Sequence, residues 1–139
     1  MIRESFDFQD MQLISPQFSG DNPSGDAEEY TTRLFRSIGK FTHAVLGVGE
    51  DGHTASLFPG SDATAKKGPR IVATTVDTLQ STRLTATFDL LAMIDTLYLC
   101  VTGEKKKEIV GHILNGGANY PIQRLIALRE RTIMISDQL

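Results

Sequence analysis

The sequence predicts an α/β domain, a three-layer sandwich built on a mainly parallel sheet. Three observations carry that expectation. The runs Ala44-Val45-Leu46-Gly47-Val48 and Leu97-Tyr98-Leu99-Cys100-Val101 are short and apolar, and the second is uniform enough for a strand covered on both faces. Helical segments with start and stop signals alternate with them. A glycine-rich turn follows the first run, at the carboxyl edge where open α/β sheets bind their ligands.

Taken in order, Met11 to Ile14 is a weak first strand, and residues 15–25, rich in Gly, Pro and Ser, form a loop. Asp26 with Glu29 three residues on has the capping-box pattern of a helix start, and Gly39 ends that helix. Its apolar positions Ala27, Tyr30, Leu34 and Ile38 share one face. The strand from Ala44 comes next, then a loop over 60–70 and a β-branched strand from Ile71 to Val76. Arg83 to Phe88 alternates with the two-residue period of a strand whose faces differ. After the run from Leu97, a helix spans Glu104 to Asn115, with Ile109, Val110, Ile113 and Leu114 inward and Gly116 closing it. Thr132 to Ile135 is the last strand. The chain shows neither an internal repeat nor a low-complexity tract.

The 139 residues suffice for one domain or part of a larger one, and 40% hydrophobic residues supply a core. With 14 Lys+Arg against 17 Asp+Glu the net charge is −3, which argues against a nucleic-acid partner but leaves room for a small anion at a locally basic site. The single cysteine, Cys100, excludes an intrachain disulfide and suits a reducing cytosol. Its apolar neighbours lead to the expectation of a buried, inert thiol. The sequence has no apolar stretch near the roughly 20 residues a membrane span needs, and Met1-Ile2-Arg3-Glu4-Ser5 lacks a signal peptide's apolar core. A soluble cytoplasmic protein without a membrane partner is expected.

The richest segment is Gly47-Val48-Gly49-Glu50-Asp51-Gly52-His53-Thr54-Ala55-Ser56-Leu57-Phe58-Pro59-Gly60. Gly47, Gly49 and Gly52 formally match the dinucleotide fingerprint, but that motif opens a long helix and Pro59-Gly60 stops any helix early. What remains is Asp51-Gly52-His53 on a flexed turn, with the hydroxyls of Thr54 and Ser56 following. An imidazole exchanges protons near neutral pH, and an adjacent carboxylate can fix its tautomer or help hold a water. Spacing alone leaves open a second reading, a turn histidine that merely bonds the backbone. A metal site is not expected: Asp51 and His53 lack a third ligand, since His43 precedes the strand and His112 lies on a helix among apolar positions.

Lys105, Lys106 and Lys107 occupy the first turn of a helix after Thr102-Gly103, where the helix dipole disfavours cations. An anion bound between this turn and the glycine loop would offset that break of rule; a solvated charged turn is the alternative. Arg83, at the start of a strand, is ambiguous between surface and site.

The segment Gly47 to Gly60 closely resembles the signature of the 6-phosphogluconolactonases, which share an α/β superfamily with the glucosamine-6-phosphate deaminases. Arg83-Leu84-Thr85-Ala86-Thr87 and Val101-Thr102-Gly103-Glu104-Lys105-Lys106 resemble that family too, in the same order. The deaminases usually continue the Asp-Gly-His motif with Ile-Ala-Phe-Asn-Glu, whereas this chain has Thr54-Ala55-Ser56-Leu57-Phe58. The resemblance implies hydrolysis of 6-phospho-glucono-1,5-lactone to 6-phosphogluconate, a step of the oxidative pentose phosphate pathway, without metal or cofactor. It implies that His53 activates the water and returns a proton to the ring oxygen, that Asp51 supports it, and that Lys106 holds the phosphate. Arg83 carries over only as an arginine often found on that strand, and Gly47, Gly49, Gly52, Thr54 and Ser56 as substrate-side positions.

The resemblance covers only the later part of the family's fold. The first strand–helix units, their Gly-Gly-Ser/Thr phosphate loop and an Asp-Glu-Arg segment have no counterpart here. An edge or apolar face left by those units predicts self-association. Two other functions stay in view: a sugar-phosphate isomerase or deaminase, which needs further acid–base residues, and an inactive remnant that binds a sugar phosphate or a protein.

Overall fold

The structure, a computed structural model, describes residues 12–76, 81–116 and 119–138. Helix α1 spans Pro23–Ser37 and strand β1 His43–Gly47. A short 3-10 helix at Asp62–Ala65 precedes strands β2, Ile71–Val76, and β3, Ser81–Ala86. Helix α2, Phe88–Ala92, leads into strand β4, Thr96–Val101. A 3-10 turn at Glu104–Lys106 opens helix α3, Lys107–Asn115; helix α4, Pro121–Ala127, and strand β5, Thr132–Ser136, follow.

Strands β1, β4 and β5 form a parallel sheet in that order, and β2 and β3 form a separate antiparallel pair. Parallel neighbours need crossovers, and here these run through α2, α3 and α4. Their apolar sides meet one face of the sheet. Leu97, Leu99 and Val101 of β4 are fully buried in one cluster with Phe88, Leu91, Ile109, Val110, Ile122 and Leu125. Leu99→Ala, at the middle of the central strand, is expected to destabilise the chain by about 2–5 kcal/mol in denaturant unfolding. A second cluster joins Ala27 of α1 to Ile71 and Leu90, with Tyr30 and Leu34 packed on it; of the expected face of the first helix these three turn inward, while Ile38 lies past the helix end as its C-cap.

Among the described residues, no helix covers the opposite face of the parallel sheet. The register aligns Val45 with Tyr98 and Gly47 with Cys100, then Tyr98 with Ile133 and Cys100 with Ile135, so these side chains share a face. Val45 is 67% and Ile135 50% exposed, and Cys100 is exposed as well. The buried thiol expected from the apolar run is thereby corrected: Leu97, Leu99 and Val101 use that apolarity, while alternate residues of β4 turn the other way. The same bare face means that the described residues supply helices on one side of the sheet.

Several boundaries also differ from expectation. The first helix starts earlier, because Asn22 accepts the Gly25 N–H at 3.0 Å and Pro23 takes the first turn; Asp26 instead accepts the Ser19 N–H. Phe88 leaves the strand, since Thr87 caps α2 through the Leu90 N–H at 3.2 Å. Leu114, expected inward, is 59% exposed near the end of α3. Residues 12–14 form no strand, and Met11 lies outside the described residues. Helices α2 and α4 were not expected, being too short for a helical period to register. Among the described residues no helix is long and apolar enough to cross a membrane.

Candidate active site

The chain leaves β1 at Gly47 and folds the next residues into a tight loop at the carboxyl edge. The Gly49 N–H donates to the His53 carbonyl at 2.8 Å, and the Gly52 N–H to the Gly49 carbonyl at 3.0 Å. Gly52 has φ +73°, and a Cβ there would sit 2.5 Å from the Tyr120 ring. The Gly52 carbonyl accepts the Ile122 N–H at the start of α4, at 3.0 Å. Gly52 is therefore a packing glycine pressed under Tyr120. Gly49 serves the histidine directly: a Cβ there would overlap the His53 ring and lie 2.5 Å from Asp51 Oδ1.

His53 Nδ1 lies 2.6 Å from Asp51 Oδ1, and the His53 backbone N–H reaches the same oxygen at 3.2 Å. Since the carboxylate accepts, Nδ1 carries the proton and Nε2 is left as the basic nitrogen. Partial burial pushes the Asp51 carboxyl up, but the hydrogen bonds and positive charge from His53 together outweigh it and hold the group below its ordinary range. Asp51 therefore stays ionised at neutral pH. Phe58 stacks on the imidazole with ring centroids 4.1 Å apart.

Lys106 comes from the turn after β4. It is half-buried, while Lys105 and Lys107 are exposed. Gly47, Gly49, His53 and Lys106 line one cavity of about 380 Å³ with Val45 and Ala55. Parallel pairing of β1 with β4 is what brings the two strand-end turns together. The turn does not leave all its backbone donors free. The Gly103 N–H is taken by both carboxylate oxygens of Asp137, at 2.9 and 3.1 Å. Hydrogen bonds from the Gln138 side chain and the Gly103 N–H draw the Asp137 carboxyl below its ordinary range.

Other candidates are placed elsewhere. Thr54 is fully buried and its hydroxyl donates to the Gly47 carbonyl at 2.9 Å, so it braces the loop. Ser56 is buried and its N–H donates to Thr85 Oγ1 at 3.0 Å. Arg83 is exposed on β3, with Nε 3.5 Å from Ser81 Oγ, and is not among the residues lining the cavity. Their types suited a ligand, but fold and register turned them away from this cavity. His43 stacks over Tyr98 on the bare sheet face, centroids 6.0 Å apart, and His112 tilts against Tyr120 at 5.5 Å. Among the described residues no group of three His, Cys, Asp or Glu stands close enough to hold a metal. Phe58, Tyr120 and Asp137 were missed as site neighbours; Phe58 lay inside the motif, whereas the other two meet the loops only through the tertiary fold.

The parallel α/β sheet thus sets a carboxylate-paired histidine and a lysine beside one cavity at its carboxyl edge, where open α/β sheets bind their ligands. Residues 2–134 match the family model of glucosamine-6-phosphate isomerases/6-phosphogluconolactonase, and the chain belongs to that family. The 6-phosphogluconolactonase of Chlamydia muridarum is 36% identical over 108 residues, which cover 75% of this chain and 42% of that protein. The human 6-phosphogluconolactonase is 34% identical over 113 residues, 78% of this chain and 43% of that one. The structure of 6-phosphogluconolactonase from Trypanosoma cruzi shares the fold with a TM-score of 0.72 at 21% identity, over 88% of this chain and 53% of that chain. The chain thus spans less than half the length of these two curated relatives.

Proposed function

We propose that the chain hydrolyses 6-phospho-glucono-1,5-lactone to 6-phosphogluconate, without metal or cofactor, in the cytoplasm. The observation that carries this is the pairing of Asp51 with His53 Nδ1 at 2.6 Å beside Lys106 in one cavity. Nε2 takes a proton from a water whose oxygen attacks the lactone carbonyl carbon. As the tetrahedral intermediate collapses, the bond from that carbon to the ring oxygen breaks and the imidazolium returns the proton to the departing oxygen. Asp51 remains ionised and stabilises the imidazolium in between. Lys106 supplies a charged donor to the phosphate.

The assay is hydrolysis of freshly generated lactone above its spontaneous rate by the purified chain. A rate that rises with protein concentration is expected. A folded chain that binds the sugar phosphate without turnover would instead favour the second reading, a binding remnant, which the 42% coverage of the Chlamydia relative motivates. An isomerase or deaminase needs more acid–base groups than His53 and Lys106, the ionisable side chains that line the cavity among the described residues.

The bare face of the sheet carries a proposal of its own. Cys100 and Ile135 form an exposed patch on a parallel sheet, a kind normally covered on both sides, with β5 as an edge strand among the described residues. A second copy of the chain covers it. Sedimentation at rising concentration is expected to show a dimer that Ile135→Asp converts to monomer; a wild-type monomer throughout would contradict this.

A further inference from the structure

We infer that Phe58 is a positioning residue for His53, fixing the plane of the imidazole and facing the imidazolium that forms when Nε2 takes up the proton. The inference rests on the lactonase reading and deepens it. The two rings lie 4.1 Å apart at 27°, close to parallel. The Asp51 bond restrains one edge of the imidazole at Nδ1 but leaves the ring free to tilt about that contact. Phe58 blocks the tilt from one face.

Phe58 is itself anchored. Leu57 before it is fully buried and donates its N–H to the Thr54 carbonyl at 2.9 Å, and the Phe58 carbonyl accepts the Ser61 N–H at 3.0 Å. The aromatic ring therefore stands on a hydrogen-bonded turn rather than a mobile tip. The negative face of an aromatic ring attracts a cation placed over it, and His53 becomes a cation only between proton uptake and proton return. The contact thus strengthens along the reaction, the condition for acting on kcat rather than on substrate binding. Phe58 forms and breaks no bond; the proton passes from water to Nε2 to the ring oxygen as before.

Phe58→Leu keeps an apolar side chain and removes the π face; pentafluorophenylalanine at the same position keeps the shape and inverts the ring's charge distribution. Phe58→Tyr keeps both. For the leucine and fluorinated variants kcat is expected to fall about 3- to 10-fold with KM held within about 2-fold, and the acidic limb of the pH–rate profile to move to lower pH. Phe58→Tyr is expected to behave as wild type. Ring-nitrogen NMR of the chain without substrate provides a readout independent of turnover. The wild type and Phe58→Tyr are expected to hold the proton on Nδ1, and Phe58→Leu to populate both tautomers. An unchanged tautomer and pH limb in both the leucine and fluorinated variants would overturn the role of Phe58. No hydrolysis above the spontaneous rate by the folded wild-type chain would instead overturn the lactonase reading, with the NMR result still deciding for or against Phe58.

Discussion

His53→Ala is expected to lower kcat for 6-phosphogluconolactone by about 10²–10⁴-fold, the range in which a positioned histidine base contributes. The loss should fall on kcat, because in the proposed mechanism His53 meets the water and the ring oxygen rather than the phosphate. Fold stability should change little: the side chain is 30% exposed, and the loop is closed by backbone bonds among Gly49, Gly52 and His53 that alanine retains. Steady-state kinetics with a thermal melt on the same sample checks both halves. A wild-type rate in the variant, or a loss that follows unfolding, would remove His53 from the chemistry.

Gly49→Ala should produce a loss of about 10²-fold from a single methyl group, the scale on which a misplacement of an ångström acts. The added Cβ would overlap the imidazole and lie 2.5 Å from Asp51 Oδ1. Both neighbours are side chains, so they can move aside, and moving aside separates the pair that sets the tautomer. Gly49 does not have positive φ, so alanine there does not carry the strain of the left-handed region. The prediction is therefore a folded protein with a displaced base. Gly52→Ala would differ in kind, since φ is +73° and the obstruction is the Tyr120 ring; its effect should register mainly as lost stability. Comparing the melts of the two variants separates the roles of two glycines only three positions apart.

The sequence made the carboxyl-edge loop legible because an apolar strand followed by glycines has few alternatives, and because Asp51 and His53 are close enough along the chain to pair without tertiary help. The turn with Lys105, Lys106 and Lys107 stood out through the electrostatic oddity of lysines at a helix start, and Lys106 within it through the family resemblance. Position relative to distant elements was not. The exposure of Cys100 depends on which face of β4 receives helices, and an apolar run does not encode that. The capture of the Gly103 N–H by Asp137 joins residues 34 apart. Arg83 read as a strand residue, and it lies on β3, which pairs with β2 rather than joining the parallel sheet; it is not among the residues lining the cavity. Thr54 had the chemistry of a ligand-binding hydroxyl, and the loop used it to hold the Gly47 carbonyl instead.

In the proposed mechanism a proton-transfer pair on one turn and a phosphate-holding lysine on the next act on one substrate. The most direct measurement compares kcat/KM for the phosphorylated and unphosphorylated gluconolactones in the wild type and in Lys106→Gln. The wild type should prefer the phosphorylated lactone, and the variant should lose about 10- to 100-fold of that preference, the range of a charge-assisted hydrogen bond, while its rate on the unphosphorylated lactone stays the same. A preference of equal size in both proteins would contradict the account, because Lys106 would then not hold the phosphate of the lactone on which His53 acts.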